Sequence, residues 1–368
     1  MDKTRPVTQA VCHFWDHPGW GWERTAPAFA QLDVHGYNYQ WRQYEPDHAN
    51  FPERIIIGTE SFPMEAFENW DLVEKHPYVI GDFVWTGMDY LGESGIGHTK
   101  SDTSKIGFLP PWPWYNANCG DISILGYKKP QMLYRDVVWR NSELEMLVHV
   151  PIPDGQREII SMWGWPEEWK SWTWDGNEGK KLQVSVYSRC DSVRLELNGK
   201  VIATNPISKA GSTGAIMDNY NQPQKKTALT AIFDVTYEPG ELTAIGIKEG
   251  KEIVRQSLKT AGEPAQLKIT SEENNFEGIN NELVYFNIEV LDENGLLVPN
   301  AAIPVEFEVS GGGKLQAVAN ENPKDMHSFQ QPQVNSYRGK CQLIVRKDKT
   351  GTAIQVTAKS EGLTPGKI

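Results

Sequence analysis

The sequence predicts a chain in two parts, an α/β region followed by an all-β region. In the first part, short apolar runs begin at residues 6, 32, 54 and 78, at intervals of 22 to 26 residues. Beyond residue 143 the pattern changes to short stretches that alternate apolar and polar side chains. The tryptophan content also changes along the chain, because none of the 14 tryptophans lies between residues 175 and 368. A length of 368 residues fits two or three domains.

The four apolar runs predict strands that are buried on both faces. They span residues 6–12, 32–37, 54–58 and 78–85, and continuous apolar runs of this kind suit a parallel sheet. Two segments between or after them predict helices: 63–70 starts with proline, and 130–140 places its apolar residues on one helical face. A closed barrel of such units needs eight strands and about 200 residues. The region is therefore a small open sheet or one half of a barrel.

The remainder of the chain predicts two β-sandwiches. In residues 144–262, alternating stretches at 181–187, 193–197 and 242–247 are separated by turn signals such as Asn198-Gly199. In residues 263–368, similar stretches lie at 284–290, 305–309 and 353–358. The Gly- and Pro-containing segment 261–264 marks the boundary. Several short strands joined by turns are typical of immunoglobulin-like folds.

Composition excludes several classes of function. The chain carries 36 Lys and Arg against 48 Asp and Glu, a net charge of −12 that disfavours nucleic acid as a partner. No run of about 18 apolar residues is present, so no membrane-spanning helix is expected. The four cysteines form no C-x-x-C motif, and no nucleotide-binding or zinc-protease motif occurs. We therefore expect neither a metal nor a cofactor.

Tryptophan clusters suggest either sugar contacts or core packing. Nine tryptophans lie in residues 1–143, and five more lie at positions 163, 165, 169, 172 and 174. Indole rings stack on the apolar faces of sugars, but tryptophan is also mostly buried on average. For a single tryptophan, and for the 163–174 cluster, the sequence favours packing.

Polar and aromatic side chains follow three neighbouring strands at their carboxyl ends. Tyr37 and Asn38 end the second run, Glu60 ends the third, and Trp85 and Asp89 follow the fourth. Barrel enzymes place their catalytic groups at this edge of the sheet. A carboxylate here can act as a glycosidase nucleophile, although a glutamate can also cap a helix or bind a loop. Together the five residues predict a sugar-binding pocket.

Four segments carry a family resemblance. RPVTQAVC, LDVHGYNYQ, IIIGTESFP and YVIGDFVWTGMDYLGE resemble the last four strands of the catalytic barrel of glycoside hydrolase family 2, closest to its bacterial β-galactosidase branch. SVYSRCDSVRLELNGK resembles the accessory domain of that branch, and DENGLLVPNA resembles bacterial Ig-like domains of the invasin and intimin type. The resemblance implies the C-terminal half of a (β/α)8 TIM barrel over residues 1–143. Two immunoglobulin-like β-sandwiches would follow, over 144–262 and 263–368.

The resemblance also implies a function and roles for the site residues. It implies a retaining exo-β-glycosidase, a β-galactosidase first, that hydrolyses terminal β-galactosides. Glu60 would be the nucleophile, Tyr37 would contact it, and Trp85 would line the sugar site, while Asn38 and Asp89 would bind substrate. The family's acid/base glutamate belongs to a segment before Arg5 that these residues do not include, so we expect a fragment without appreciable activity. A periplasmic or secreted location is expected from the resemblance. The open edge at 6–12 predicts either a homo-oligomer, in the form of a dimer that covers this edge, or a poorly ordered N-terminal segment.

Other interpretations remain open at this point. A β-mannosidase or β-glucuronidase specificity would fit the same family. Glucuronidases of the family carry Asn-x-Lys after the last strand, and residues 94–100, SGIGHTK, lack it. A non-catalytic carbohydrate-binding or adhesion protein would use the tryptophans and the Ig-like domains. Such a protein has no need for Glu60 with Tyr37 and Trp85 at the strand ends.

Overall fold

The computed structural model describes residues 4–103, 110, 112–209, 227–272, 282–349 and 352–368. Its described part contains a four-stranded parallel α/β sheet followed by four antiparallel sheets of four strands each, with two further pairs of short strands. The predicted change from α/β to all-β structure is therefore confirmed.

The first four strands form one parallel sheet in the order β1-β2-β3-β4. Each overlaps one predicted run, and their bounds are Ala10–Val11 (β1), His35–Asn38 (β2), Ile56–Ser61 (β3) and Val79–Val84 (β4). Because the strands are parallel neighbours, their carboxyl ends meet at one edge of the sheet. This edge holds the residues that the sequence singles out.

Helices cover one face of this sheet. Their bounds are Ala26–Phe29 (α1), Tyr44–Asn50 (α2), Ala66–Lys75 (α3) and Pro130–Val138 (α4), with 3-10 turns at Trp22–Thr25, Trp41–Gln43 and Pro63–Glu65. Helix α3 ends at Lys75 because Pro77 forces the preceding His76 into an extended conformation. Phe29, Tyr44 and Ile56 are among the fully buried side chains between helices and sheet.

Short strands connect the α/β region to the next one. Tyr90–Leu91 (β5) pairs with Asn116–Ala117 (β7), and Thr99–Asp102 (β6) pairs with Arg157–Ile160 (β9). The antiparallel β6–β9 pair joins a loop that follows β4 to the segment between Leu144–His149 and Glu168–Trp169, two strands of the first sandwich. The loop after β9 is thereby fixed against the α/β region.

Residues after 143 build a first β-sandwich. One sheet has the order β10-β8-β11-β14 and the other β13-β12-β15-β16. The strands are Leu144–His149 (β8), Glu168–Trp169 (β10), Lys181–Ser188 (β11), Ser192–Leu197 (β12), Lys200–Pro206 (β13), Thr230–Thr236 (β14), Glu241–Lys248 (β15) and Lys251–Lys259 (β16). Asn198 and Gly199 both have positive φ, at 51° and 76°, as a tight hairpin turn requires.

A second sandwich follows with the sheet orders β17-β18-β22-β20 and β21-β19-β23-β24. Its strands are Gln266–Glu272 (β17), Leu283–Leu291 (β18), Pro304–Gly311 (β19), Gly313–Ala319 (β20), Gln333–Asn335 (β21), Lys340–Lys347 (β22), Ile354–Lys359 (β23) and Gly366–Lys367 (β24). Alternating residues such as Val305, Phe307 and Leu343 fill the space between the sheets.

Most of the tryptophan cluster is core. Trp165, Trp172 and Trp174 are buried, which confirms the packing interpretation for them. Trp172 lies inside the first sandwich, and its indole nitrogen donates to the Glu238 carbonyl at 3.0 Å. Trp165 packs against Tyr134 of α4, with ring centroids 5.2 Å apart, so it joins the sandwich to the α/β region.

No helix in the described parts of the chain is long and apolar enough to cross a membrane.

Trp172→Ala tests the core of the first sandwich. Removing a fully buried indole leaves a cavity, and we expect a loss of about 3–5 kcal/mol in the free energy of unfolding. Urea unfolding measures it. Trp112→Ala is the matched control, because that side chain is 75% exposed and should change stability by less than about 0.5 kcal/mol. Similar losses in the two variants would contradict this view of the core.

A second prediction concerns the buried His149–Glu158 pair, whose side chains lie 3.0 Å apart and bridge β8 and β9. Burial alone would lower the pKa of His149, but the hydrogen bond and charge of Glu158 raise it to about 9. The pair therefore stabilises the fold fully below pH 6.5 and loses this effect as the pH rises through about 9. We expect the free energy of unfolding to fall by about 1.5–3 kcal/mol over that pH range. Glu158→Gln should flatten the profile, and an unchanged pH dependence in that variant would contradict the assignment.

Candidate active site

Glu60 lies at the carboxyl end of β3 and is half-buried. Asn38, its register partner on β2, donates from Nδ2 to Glu60 Oε2 at 2.7 Å. The hydroxyl of Thr59 donates to Asn38 Oδ1 at 3.3 Å, which fixes the orientation of the amide. The register shifts between Tyr37 and Asn38, and this irregularity places the amide opposite the carboxylate. Glu60 is thereby held with one oxygen bound.

Tyr39 is the tyrosine beside Glu60. Its backbone has a φ of 58°, and its amide donates to the Glu60 carbonyl at 2.8 Å. Its ring stacks on Phe62 with centroids 4.3 Å apart. Burial, and next the negative charge of Glu60, raise the pKa of Tyr39 well above its ordinary value. The phenol therefore stays protonated beside the carboxylate.

Tyr37 does not occupy that position, which corrects the sequence prediction. Its side chain is fully buried among the helices, and its hydroxyl donates to Asp47 Oδ2 at 2.8 Å. Asp47 also pairs with Arg54 at 3.0 Å. Successive strand residues point to opposite faces, so Tyr37 and Asn38 separate. The left-handed conformation of Tyr39 then turns the next tyrosine towards Glu60.

Trp85 follows β4 and is half-buried. Its amide donates to the Ser61 carbonyl at 3.0 Å, next to Glu60 in the chain. Its ring meets Tyr90 edge to face at 6.0 Å and packs on the cluster that contains Cys119 and Trp163. The backbone bond places Trp85 next to the end of β3 at the carboxyl edge of the sheet, where the sequence expects a wall of the sugar site.

Asp89 is engaged by protein donors in this structure, and its role as a substrate ligand stays a prediction. The carboxylate is buried and pairs with Lys129 Nζ at 2.9 Å. It also accepts the Gly120 amide at 2.8 Å. Burial raises the pKa of Asp89, while Lys129 opposes that rise. Both oxygens face protein donors, so Asp89 acts as an internal ion-pair partner.

Several residues near Glu60 were not predicted from the sequence. Trp163, from the loop after β9, donates from Nε1 to the Tyr39 hydroxyl at 2.7 Å. Trp15 is 43% exposed and lies 6.3 Å from the Tyr39 ring. Cys12 follows β1, and burial raises the pKa of its thiol while the adjacent Asn38 lowers it. These contacts join segments that are far apart in the sequence, so the sequence does not reveal them. Only the role of Tyr39 could have been suggested, because Tyr39 lies just after a strand.

Charged residues also lie beneath the site. Ser61 donates to Asp82 Oδ2 at 2.8 Å, and burial raises the pKa of Asp82 to about 6. Arg135 of α4 pairs with Asp121 at 2.6 Å in the same buried layer. Within the described residues, no group of three or more His, Cys, Asp or Glu side chains is arranged to hold a metal ion. The geometry around Glu60 is that of a carboxylate held by neutral donors among aromatic rings.

Comparisons with known proteins decide the family. Residues 267–368 match the family described as glycoside hydrolase family 2 C-terminal domain 5, and residues 179–254 match a domain of unknown function, DUF4982. The β-galactosidase BoGH2A of Bacteroides ovatus is 27% identical over 99% of this chain and 41% of its own length. A family 2 glycosyl hydrolase structure from Bacteroides cellulosilyticus is 32% identical, with a TM-score of 0.82 over 100% of this chain and 44% of its own.

The chain belongs to glycoside hydrolase family 2. The family resemblance predicted from the sequence is therefore confirmed. A further relative, a putative β-glucuronidase of Formosa agariphila, is 28% identical over 71% of the chain and 21% of its own length. This family 2 chain spans less than half the length of each of these relatives.

Tyr37→Phe and Tyr39→Phe test the corrected positions of the two tyrosines. Tyr37→Phe removes a buried hydrogen bond to Asp47, and we expect it to lower the free energy of unfolding by about 1–2 kcal/mol. Tyr39→Phe should change stability less, because Tyr39 is only half-buried whereas Tyr37 is fully buried. Urea unfolding of both variants measures the difference. A larger loss for Tyr39→Phe would contradict the assignment.

Proposed function

We propose that Glu60 is the nucleophile of a retaining β-glycosidase that acts on β-galactosides. The observation that carries this proposal is the carboxylate at the end of β3, which is bound by Asn38 and flanked by Tyr39. Family 2 membership and the aromatic side chains around the site support it. Because the relatives are more than twice as long, the activity is proposed for the full-length protein that contains these residues.

In this mechanism one oxygen of Glu60 attacks the anomeric carbon, the glycosidic bond breaks, and an acid/base carboxyl group gives its proton to the departing oxygen. Asn38 keeps the other oxygen bound and holds the carboxylate in position, as a nucleophile requires. Water then hydrolyses the glycosyl-enzyme with the help of an acid/base carboxyl group, which in retaining enzymes stands about 5–5.5 Å from the nucleophile. Trp85 and Trp15 would form apolar walls for the sugar.

We infer a closed (β/α)8 barrel around this sheet in the full-length protein. The support is the parallel order of β1 to β4 and the apolar side chains that the sheet leaves uncovered. Ile80 is 54% exposed and Phe83 is 61% exposed, which is unusual for residues of a parallel strand. Further strands would cover these side chains and pair with the edges β1 and β4. The two sandwiches are immunoglobulin-like accessory domains in this proposal.

One other substrate class, the β-glucuronides, competes with the β-galactosides. The relative that matches 99% of the chain is a β-galactosidase, whereas two relatives from Formosa agariphila are called β-glucuronidases. Residues 94–100, SGIGHTK, lack the Asn-x-Lys that glucuronidases of the family use, and this favours galactosides. A panel of nitrophenyl β-galactoside, β-glucuronide and β-mannoside distinguishes the candidates. Faster hydrolysis of the glucuronide would favour β-glucuronides over β-galactosides as the substrate class.

Glu60→Gln tests the nucleophile. The amide is nearly isosteric but cannot form the glycosyl ester, so kcat of the full-length protein should fall by several orders of magnitude. Circular dichroism should remain that of the wild type. Glu53→Gln is the matched control, because Glu53 is exposed in the loop before β3 and should keep wild-type turnover. Near-normal kcat in Glu60→Gln would overturn the assignment.

A further inference from the structure

One hydrogen bond connects the first sandwich to the side chains around Glu60. Trp163 donates from its indole nitrogen to the Tyr39 hydroxyl at 2.7 Å, across 124 residues of sequence. Trp163 lies three residues beyond the end of β9, whose pairing with β6 ties this loop to the α/β region. The rings of Trp163 and Phe62 lie 5.8 Å apart, so Phe62 contacts both partners of the bond.

The chemistry of the two groups gives this bond a direction. An indole N–H is only a donor, so the tyrosine oxygen must accept. Its own proton is then directed to another acceptor. The adjacent charged acceptor is the Glu60 carboxylate, because the Tyr39 amide binds the Glu60 carbonyl at 2.8 Å and the charge of Glu60 raises the pKa of Tyr39. The expected order of donors therefore runs from indole to phenol to carboxylate.

Both partners are held in an uncommon backbone conformation. Tyr39 has a φ of 58° and Trp163 a φ of 64°, in the left-handed region that bulky residues rarely adopt. The turn at Trp163 is closed by the Gly164 amide, which donates to the Ser161 carbonyl at 2.9 Å. A Cβ at Gly164 would lie 2.8 Å from Ile160 Cγ2 and 2.9 Å from the Ser161 carbonyl, so this turn requires glycine. Packing and hydrogen bonds thus maintain a geometry that each residue alone disfavours.

We propose that Trp163 is a positioning residue of the active site, acting through Tyr39 on the Glu60 carboxylate. This rests on the proposed function of Glu60. The first sandwich then supplies part of the active-site architecture, in addition to its own core. A purely structural role for Trp163 would predict loss of stability without a specific effect on the chemical step.

The bond itself can be tested without any activity. In the 368-residue chain labelled with 15N-tryptophan, the indole signal of Trp163 is assigned by its loss in Trp163→Phe. Tyr39→Phe removes the acceptor, so the Trp163 indole proton should move upfield while the other indole signals stay in place. Tyr37→Phe is the matched control, because that hydroxyl binds Asp47. An unmoved Trp163 signal in Tyr39→Phe would overturn the proposal.

Kinetics of the full-length protein test the positioning role. Trp163→Phe keeps an aromatic ring and removes the donor, and we expect kcat to fall about tenfold, the effect of one hydrogen bond, with KM little changed. In the Tyr39→Phe background the same substitution should have no further effect on kcat, since the two residues act as one unit. Trp169→Phe is the control, because it removes an indole donor to Glu167 in the same segment and should leave kcat unchanged.

The outcomes separate the two proposals. Equal losses of kcat in Trp163→Phe and Trp169→Phe, or additive losses in the double variant, would overturn the positioning role. A normal kcat in Trp163→Phe would also overturn it while leaving Glu60 as the nucleophile. Absence of glycoside hydrolysis in the wild type would overturn both, and the indole spectrum would then show whether the bond alone exists.

Discussion

The hydrogen bond from Asn38 to Glu60 joins two parallel strands at the edge where their carboxyl ends meet. It needs the register of β2 against β3, which in turn needs the apolar layer of Phe29, Tyr44 and Ile56 beneath the sheet. The amide holds the carboxylate through one of its two oxygens. Neutral donors suit a nucleophile, because they hold the group without an opposing charge that would reduce its reactivity.

The sandwiches contribute to this site through contacts rather than through chemistry of their own. The loop after β9 carries Trp163 to Tyr39, and Trp165 packs against α4 next to it. The second sandwich reaches the α/β region as well, since the Tyr115 amide donates to the Pro323 carbonyl at 3.0 Å. The described part of the chain therefore forms one connected structure, in which a substitution in a sandwich can alter the geometry around Glu60.

Much of this arrangement could be predicted from the sequence. Apolar runs predicted the parallel strands and turn signals predicted the sandwich hairpins, because burial and turn conformation depend mainly on residues that are close in the sequence. The position of Glu60 followed from a strand end. The choice between Tyr37 and Tyr39 did not, since it depends on one left-handed residue after the strand. The contact of Asp89 with Lys129 was not foreseen because the two lie 40 residues apart, and Trp163 was missed because only the tertiary fold brings it to Tyr39.

The central claim is that Glu60 forms the bond to the sugar. The most direct measurement is the capture of that bond with a 2-deoxy-2-fluoro-β-galactoside that carries a dinitrophenyl leaving group, which needs no proton donor. Mass spectrometry of the digested full-length protein should find one fluorosugar on the peptide that contains Glu60, and none in Glu60→Gln. A label on a different carboxylate, with Glu60 unmodified, would contradict the account.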